Sequence, residues 1–393
     1  MTNESGCAPF CRHFNTCGGC SFQDVPYETQ LSRKQEAIES ALEATGFDAA
    51  KIVKPIKQSP KKKEYRNRMD FVAFKDSEGK IGLGLRERGS WKKCIDIERC
   101  HLMAGWQDEA RKIIKGWQAK NNIPSWDPYS HTGVLRYAVC RDSSDQISKM
   151  VSLVCAKGKE SLDGIDGLSC ELKSIGVTSF FVQKNEGLSD VSNGEPQLFD
   201  GEGYVTETID GISYRYGPLC FFQPNPSVGK EMVRTVKEAL KSSDPGDVLD
   251  LYCGVGLFTL AAAKMSNTAT GVEIIGESID FAKTNAAVNK ATNALFIANP
   301  AEKNISREFI GKFDTVIVDP PRTGLHADVI SAISNSSKIK TVIYSSCNPI
   351  KFVNDAAALS LNFELESVQP LDMFPHTPHF EVIGVFRKRL GKD

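Results

Sequence analysis

The chain changes rhythm twice. Over residues 26–45, apolar residues recur at helical spacing, with Leu31, Ile38 and Leu42 on one stripe and Gly46 as a stop, which predicts one amphipathic helix. From about Val53 to Val205 the pattern shortens to strand-like runs such as Met69-Asp70-Phe71-Val72-Ala73-Phe74 and Met150-Val151-Ser152-Leu153-Val154-Cys155, broken by Gly, Ser and Asp clusters. A mainly antiparallel region is expected there. After about Ile209, strand, turn and helix alternate, the signature of a doubly wound parallel sheet. Its strands are predicted at 248–252, 268–273, 295–298, 315–319 and 341–346, followed by an edge hairpin of 363–370 and 380–386. The expected division is therefore 1–105, a cysteine-rich and basic region, 106–205, a mainly β domain, and 206–393, an α/β domain.

Composition narrows the class. The 393 residues are 41% hydrophobic and 25% charged, as in a folded soluble chain. The densest apolar stretch, near Leu257 to Ala263, is far short of the roughly 20 residues of a membrane span. No apolar signal core follows Met1, so a cytoplasmic protein without membrane contact, acting as a monomer, is expected. Twelve cysteines in a reducing compartment point to metal binding or catalysis where they cluster. The net charge of −1 hides an asymmetry, since residues 51–100 carry fifteen Lys or Arg against seven acids. With Tyr65, Phe71, Phe74 and Trp91 interleaved, this stripe reads either as a solvated face or as a phosphate-backbone contact.

Chemistry concentrates at predicted strand ends. Asp250-Leu251-Tyr252-Cys253-Gly254-Val255-Gly256 closes the first parallel strand, and Glu273 closes the second, 23 residues after Asp250. Glycines such as Gly254 let backbone approach a nucleotide, and an acid at the next strand end is placed to accept two ribose hydroxyls. Leu257-Phe258-Thr259 follows directly, without the third glycine of a dinucleotide fingerprint, so a ligand without a pyrophosphate fits better. The pattern resembles the S-adenosylmethionine site of class I methyltransferases, which have a Rossmann-like fold. Asp319-Pro320-Pro321-Arg322 has Arg where amino-group methyltransferases place a stacking aromatic, which disfavours an exocyclic amine as acceptor. Tyr344-Ser345-Ser346-Cys347-Asn348-Pro349 instead places a cysteine at the ligand-binding sheet edge.

A thiol there has a use if the acceptor is carbon 5 of a pyrimidine. That carbon becomes nucleophilic once a thiolate adds to carbon 6, and a base must afterwards remove its hydrogen. Cys347 is the candidate nucleophile, and Glu381, at the start of the last strand, the candidate base. The bland readings are a small buried cysteine and an exposed strand acid. His376 and His379 lack further ligands nearby and read as loop contacts, and Cys253 as structural. In the first half, Cys11, Cys17 and Cys20 with Gly18 and Gly19 offer three thiols for an iron–sulfur cluster or zinc, Cys100 being the expected fourth and Cys94 and Cys7 its competitors.

These motifs together resemble the uracil-5 RNA methyltransferases, which form 5-methyluridine in tRNA and 23S rRNA. The likeness covers Cys11-x5-Cys17-Gly-Gly-Cys20 with Cys100, Phe222-Gln223-Pro224-Asn225, the Asp250 turn, Asp319-Pro-Pro-Arg, Ser345-Ser-Cys347-Asn-Pro and the stretch from Asp372 to Glu381. It implies a 4Fe-4S cluster on Cys11, Cys17, Cys20 and Cys100, and S-adenosylmethionine contacts from Gln223, Tyr252, Glu273, Asn299 and Asp319. It implies Cys347 as nucleophile and Glu381 as proton acceptor, acting on a uridine extruded from RNA. Leu257 and Tyr252 depart from residues common in the family. The cluster cysteines begin almost at Met1, with no preceding β-barrel, which looks most like the shorter enzymes acting on 23S rRNA. Hence rRNA processing is expected, with tRNA as the alternative target. An RNA-binding module and a small-molecule methyltransferase are the competing classes.

Overall fold

The computed structural model describes residues 6–76, 78–157, 162–303 and 306–389. Two seven-stranded sheets are joined by a hairpin. The first contains β1 (Arg68–Lys75), β2 (Ile81–Arg86), β3 (Cys94–Ile95), β4 (Leu135–Asp142), β5 (Lys149–Cys155), β6 (Ser179–Lys184) and β7 (Glu195–Gly201), in the order β3-β2-β1-β4-β5-β6-β7. All its pairs are antiparallel except β5 with β6. Pairing runs through residue 105: β1 lies on β4 from Arg68↔Arg141 to Val72↔Tyr137. Helices Gly105–Lys120 and Ile165–Ser174 cover this sheet, with Trp106, Ile114, Trp117, Leu168 and Leu172 in a common core with Phe71 and Leu153.

The hairpin of β8 (Val205–Ile209) and β9 (Ile212–Tyr216) leads into the second sheet. This holds β10 (Asp247–Leu251), β11 (Thr268–Glu273), β12 (Ala294–Ala298), β13 (Thr315–Val318), β14 (Thr341–Ser346), β15 (Phe363–Leu371) and β16 (Glu381–Lys388), ordered β12-β11-β10-β13-β14-β16-β15. The first five are parallel, and β16 enters antiparallel between β14 and β15. Central strands read as near-continuous apolar runs because helices bury both their faces. Helices Pro226–Lys241 and Pro349–Leu359 start alike, with an Asn cap (Asn225, Asn348) followed by proline in the first turn.

The expected amino-terminal helix is present as Tyr27–Glu43. Its Ile38 and Leu42 join Val316, Val342, Phe352 and Phe363 in the core of the second sheet. A stripe specifies that a helix buries a face; it does not specify against what. A buried ion pair fixes the choice: Lys34 Nζ donates to Asp372 Oδ1 (2.5 Å), and the Tyr27 hydroxyl donates to Oδ2 (2.6 Å). Lys34 also donates to the Phe374 carbonyl (3.1 Å), so the helix clamps the segment that leads to Glu381. No described helix is long and apolar enough to cross a membrane.

Candidate active site

The carboxyl edge of the second sheet is hollowed into a cavity of about 590 Å³. Its floor is the turn after β10, where Tyr252 (φ +64°), Gly254 (φ +53°) and Gly256 (φ +90°) are left-handed. For tyrosine this backbone is costly and persists where the surroundings impose it. The Tyr252 hydroxyl donates to Glu302 Oε1 (3.1 Å). Glu273, at the end of β11, is aimed by three amides: Gly254 N–H donates to Oε2 (3.2 Å), and Ile274 and Ile275 N–H to Oε1 (2.8 and 2.9 Å). Beneath them Asp250 is sealed in and accepts from the Thr259 hydroxyl (2.5 Å). Burial, with Asp319 and Glu273 nearby, lifts its carboxyl to about 7.

The opposite wall is Asp319, one residue past β13, and Gln223, whose Nε2 donates to Asp319 Oδ2 (3.3 Å). Burial raises the Asp319 carboxyl to about 6 against the pull of that hydrogen bond. Gln223 is held from behind, since Asn67 Nδ2 donates to its carbonyl (3.0 Å) and the Asn67 amide donates to Pro224 (3.1 Å). Asn225 Nδ2 ties the same loop to Ser59 Oγ (3.0 Å) and the Met373 carbonyl (3.2 Å).

Strand register brings the remaining pair together. β14 and β16 pair antiparallel up to Ser346↔Val382, and Cys347 and Glu381 are the residues next to that pair. Cys347 lies just past the end of β14 and immediately before the Asn348 cap, while Glu381 is 4% exposed and pairs with Leu371. Both line the cavity with Asp319 and Arg322. Burial pushes the Cys347 thiol up to about 11, aided by Glu381 and Asp319 and opposed by Arg322. Burial likewise lifts Glu381 well above the carboxylate range, Asp319 adding to the rise and Arg322 opposing it. Three acidic groups thus compete for negative charge beside one exposed guanidinium, an arrangement that favours a cationic ligand.

Gln223, Tyr252, Gly254, Glu273, Asp319, Cys347 and Glu381 therefore share one cavity. Asn299 does not line it; its amide donates to the Glu273 carbonyl (2.8 Å), and the next residues, Pro300 and Ala301, form the wall. Pattern reading missed Phe221 and Ile274, 61% and 65% exposed at the cavity rim, because a lone exposed apolar residue has no periodicity. It also passed over Phe374, in the loop before Glu381. Leu257 and Cys253 are buried beside the turn. His376 is a buried tie, its Nε2 against the Lys62 carbonyl (2.9 Å) and its own carbonyl accepting the Ser21 and Phe22 amides (2.8 and 3.0 Å).

Those amides belong to the cysteine loop. Cys11, Cys17, Cys20 and Cys100 line a second cavity of about 470 Å³, whereas Cys94 lines a different pocket and Cys7 lines neither. The loop docks on the first sheet, Gly18 N–H donating to the Arg86 carbonyl (3.0 Å) and Arg88 N–H to that of Thr16 (2.8 Å). Among the described residues no three Cys, His, Asp or Glu side chains converge closely enough to hold one metal ion. The four thiols share one cavity, a donor set of the type that a cluster or a zinc ion uses.

The doubly wound sheet, the glycine turn and the Glu273 carboxylate define a class I S-adenosylmethionine-dependent methyltransferase. The family model described as tRNA (Uracil-5-)-methyltransferase matches residues 197–390. An uncharacterized RNA methyltransferase of Nanoarchaeum equitans is 37% identical over 98% of this chain and 81% of its own length. The tRNA (uracil(54)-C(5))-methyltransferase of Pyrococcus abyssi is 32% identical over 96% of this chain and 85% of its own length. The crystal structure of the P. abyssi enzyme in complex with S-adenosyl-L-homocysteine superposes with a TM-score of 0.78 at 30% identity, covering 93% of this chain and 84% of that one. The chain belongs to the uracil-5 RNA methyltransferase family and is an S-adenosylmethionine-dependent RNA methyltransferase.

Proposed function

We propose that this enzyme methylates carbon 5 of one extruded uridine through a covalent Cys347 adduct. The observation that carries the reading is that Cys347 and Glu381, each one residue beyond the Ser346↔Val382 pair, line the same cavity as Glu273, Gln223 and Asp319. S-adenosylmethionine, when bound, supplies a methyl group on a cationic sulfur, whose bonding electrons leave with that sulfur. Glu273 is placed to accept its ribose hydroxyls, and Gly254, Tyr252 and Asp319, with the chain near Asn299, would surround the rest. Cys347 adds as thiolate to carbon 6, and the displaced electron pair activates carbon 5. After methylation Glu381 takes the carbon 5 hydrogen as a proton; the pair left behind restores the ring double bond and expels the thiolate. A carboxylate lifted by burial is a stronger base for that step.

Cys11, Cys17, Cys20 and Cys100 would hold a 4Fe-4S cluster, which cross-links the loop and supplies no redox step to a two-electron transfer. Between substrates, relatives whose names carry a target act on uridine 54 of tRNA, which favours tRNA. The likeness of residues 343–348 and 372–381 to the 23S rRNA enzymes favours the ribosomal target. Incubating anaerobically purified enzyme with S-adenosylmethionine and unmodified tRNA or 23S rRNA, then mapping 5-methyluridine by mass spectrometry, separates them. We expect one modified uridine in tRNA. A single site in 23S rRNA would keep the chemistry and change the target, and methylation of neither RNA would overturn the proposal.

A further inference from the structure

Beyond the cysteine cavity, on the first sheet, lies a third pocket of about 300 Å³ that neither the catalytic site nor the thiols use. Pro224 is a wall common to the catalytic and cysteine cavities, and Val72, Arg86 and Tyr137 are common to the cysteine cavity and this pocket. The three hollows therefore run in series from one sheet to the other.

The chemistry of the third is distinctive. Arg136 is 1% exposed, and among the described residues it has no ion-pair partner. Its terminal nitrogens donate to the carbonyls of Asn185, Gly187 and Ser189 (2.6 to 2.9 Å), while its Nε is buried without a partner. Its guanidinium lies 4.7 Å from the centre of the Trp126 ring, whose Nε1 is likewise an unused buried donor. Tyr129, 61% exposed, lines the pocket, and the Lys92 ammonium stands 4.8 Å from its ring centre and 5.0 Å from that of Trp91, which is 62% exposed outside the lining. Four cations line the pocket against Asp127 and Asp190, and Asp190 is occupied by Arg86 and the Tyr137 hydroxyl.

Flat π faces and a cation between them suit a ligand with one aromatic ring and a negative charge. An unstacked nucleotide has both, and aromatic platforms with interleaved cations are how proteins hold single-stranded nucleic acid. The pocket volume sits at the small end for ligand sites, enough for one nucleotide and too little for a duplex. We propose that this pocket receives one unpaired nucleotide of the substrate RNA, distant from the uridine that enters the catalytic cavity. The inference rests on the RNA reading above and gives the basic stripe a defined contact.

The test uses the full-length enzyme with Trp91→Ala and Tyr129→Ala combined, both at exposed positions outside the catalytic cavity. The probes are a short fluorescein-labelled oligouridylate, read by anisotropy, and the RNA methylated in the mapping experiment, read by steady-state kinetics. Loss of both platforms is expected to weaken oligouridylate binding and raise KM for the RNA by about tenfold or more, with kcat within about twofold of wild type. Lys92→Ala should lower the slope of log affinity against log salt by about 1. Wild-type affinity and KM in the double variant, while the wild-type enzyme methylates RNA, would overturn the pocket alone. A wild-type enzyme that neither binds nor methylates RNA would overturn the reading on which it rests.

Discussion

The catalytic cavity and the cysteine cavity both gather thiols into partly buried settings, yet they are built by opposite means. Cys347 sits between the end of a paired strand and the Asn348 cap of a helix, so rigid elements hold it on both sides before anything binds. Cys11, Cys17 and Cys20 sit on a loop, and Cys100 lies eighty residues away on another. Reactive groups that must meet a ring within tenths of an ångström are placed on rigid elements. Ligands to a cross-link can come from loops, because what they bind completes their order.

The contrast can be broken in four places. The largest effect is expected from Cys347→Ala, which should lower methyl transfer by about 10⁴-fold or more and abolish any covalent RNA adduct while leaving the melting temperature nearly unchanged. Turnover above that level, in a discontinuous methylation assay, would remove the nucleophile from the mechanism. Glu381→Gln should slow product release by about 10²- to 10⁴-fold, and the adduct should accumulate as a shifted band on a denaturing gel. A variant with normal turnover and no such band would assign the proton to another group.

Cys17→Ser addresses the other cavity. Iron content should fall and stability drop by about 3 kcal/mol or more, read by denaturant unfolding under anaerobic conditions. Unchanged iron and stability would refute the cross-linking role. The smallest effect concerns titration. With the Cys347 thiol pushed up to about 11 in the free protein, its reactive thiolate is scarce at neutral pH. Alkylation by iodoacetamide, followed by peptide mass spectrometry, should therefore quicken about tenfold per pH unit and level off only near that value. Arg322→Ala removes the one opposing charge, so it should slow alkylation a few-fold at fixed pH. A plateau below pH 8 would mean that the thiol is already activated without substrate.

Much of the second sheet was legible because buried parallel strands carry continuous apolar runs. The strands predicted at 268–273 and 341–346 match β11 and β14, and the final hairpin is present as β15 and β16. The motif residues at strand ends follow from that register, and Asn299, one residue past β12, has its amide on the Glu273 carbonyl. Less legible was what packs on what. The helix Tyr27–Glu43 joins the far sheet through Lys34 and Asp372, a pairing across 338 residues that no local pattern encodes. The basic stripe was legible only as a sum. In the fold Arg68 pairs with Asp70, Arg99 with Glu64, Arg86 with Asp190 and Lys57 with Glu231, so its charge is partly neutralised and what is left is local.

One feature of the second sheet also sets an order of events. β16 inserts between β14 and β15, so the acid that lines the cavity with Cys347 is made 34 residues after the cysteine itself. A chain still emerging from the ribosome can pair its five parallel strands and present the thiol, but the slot beside β14 stays open until the last strand arrives. The Cys347–Glu381 pair is thus completed only when β16 enters the sheet. On the proposed mechanism, a chain without β16 could form the Cys347 adduct but would have no Glu381 to release it.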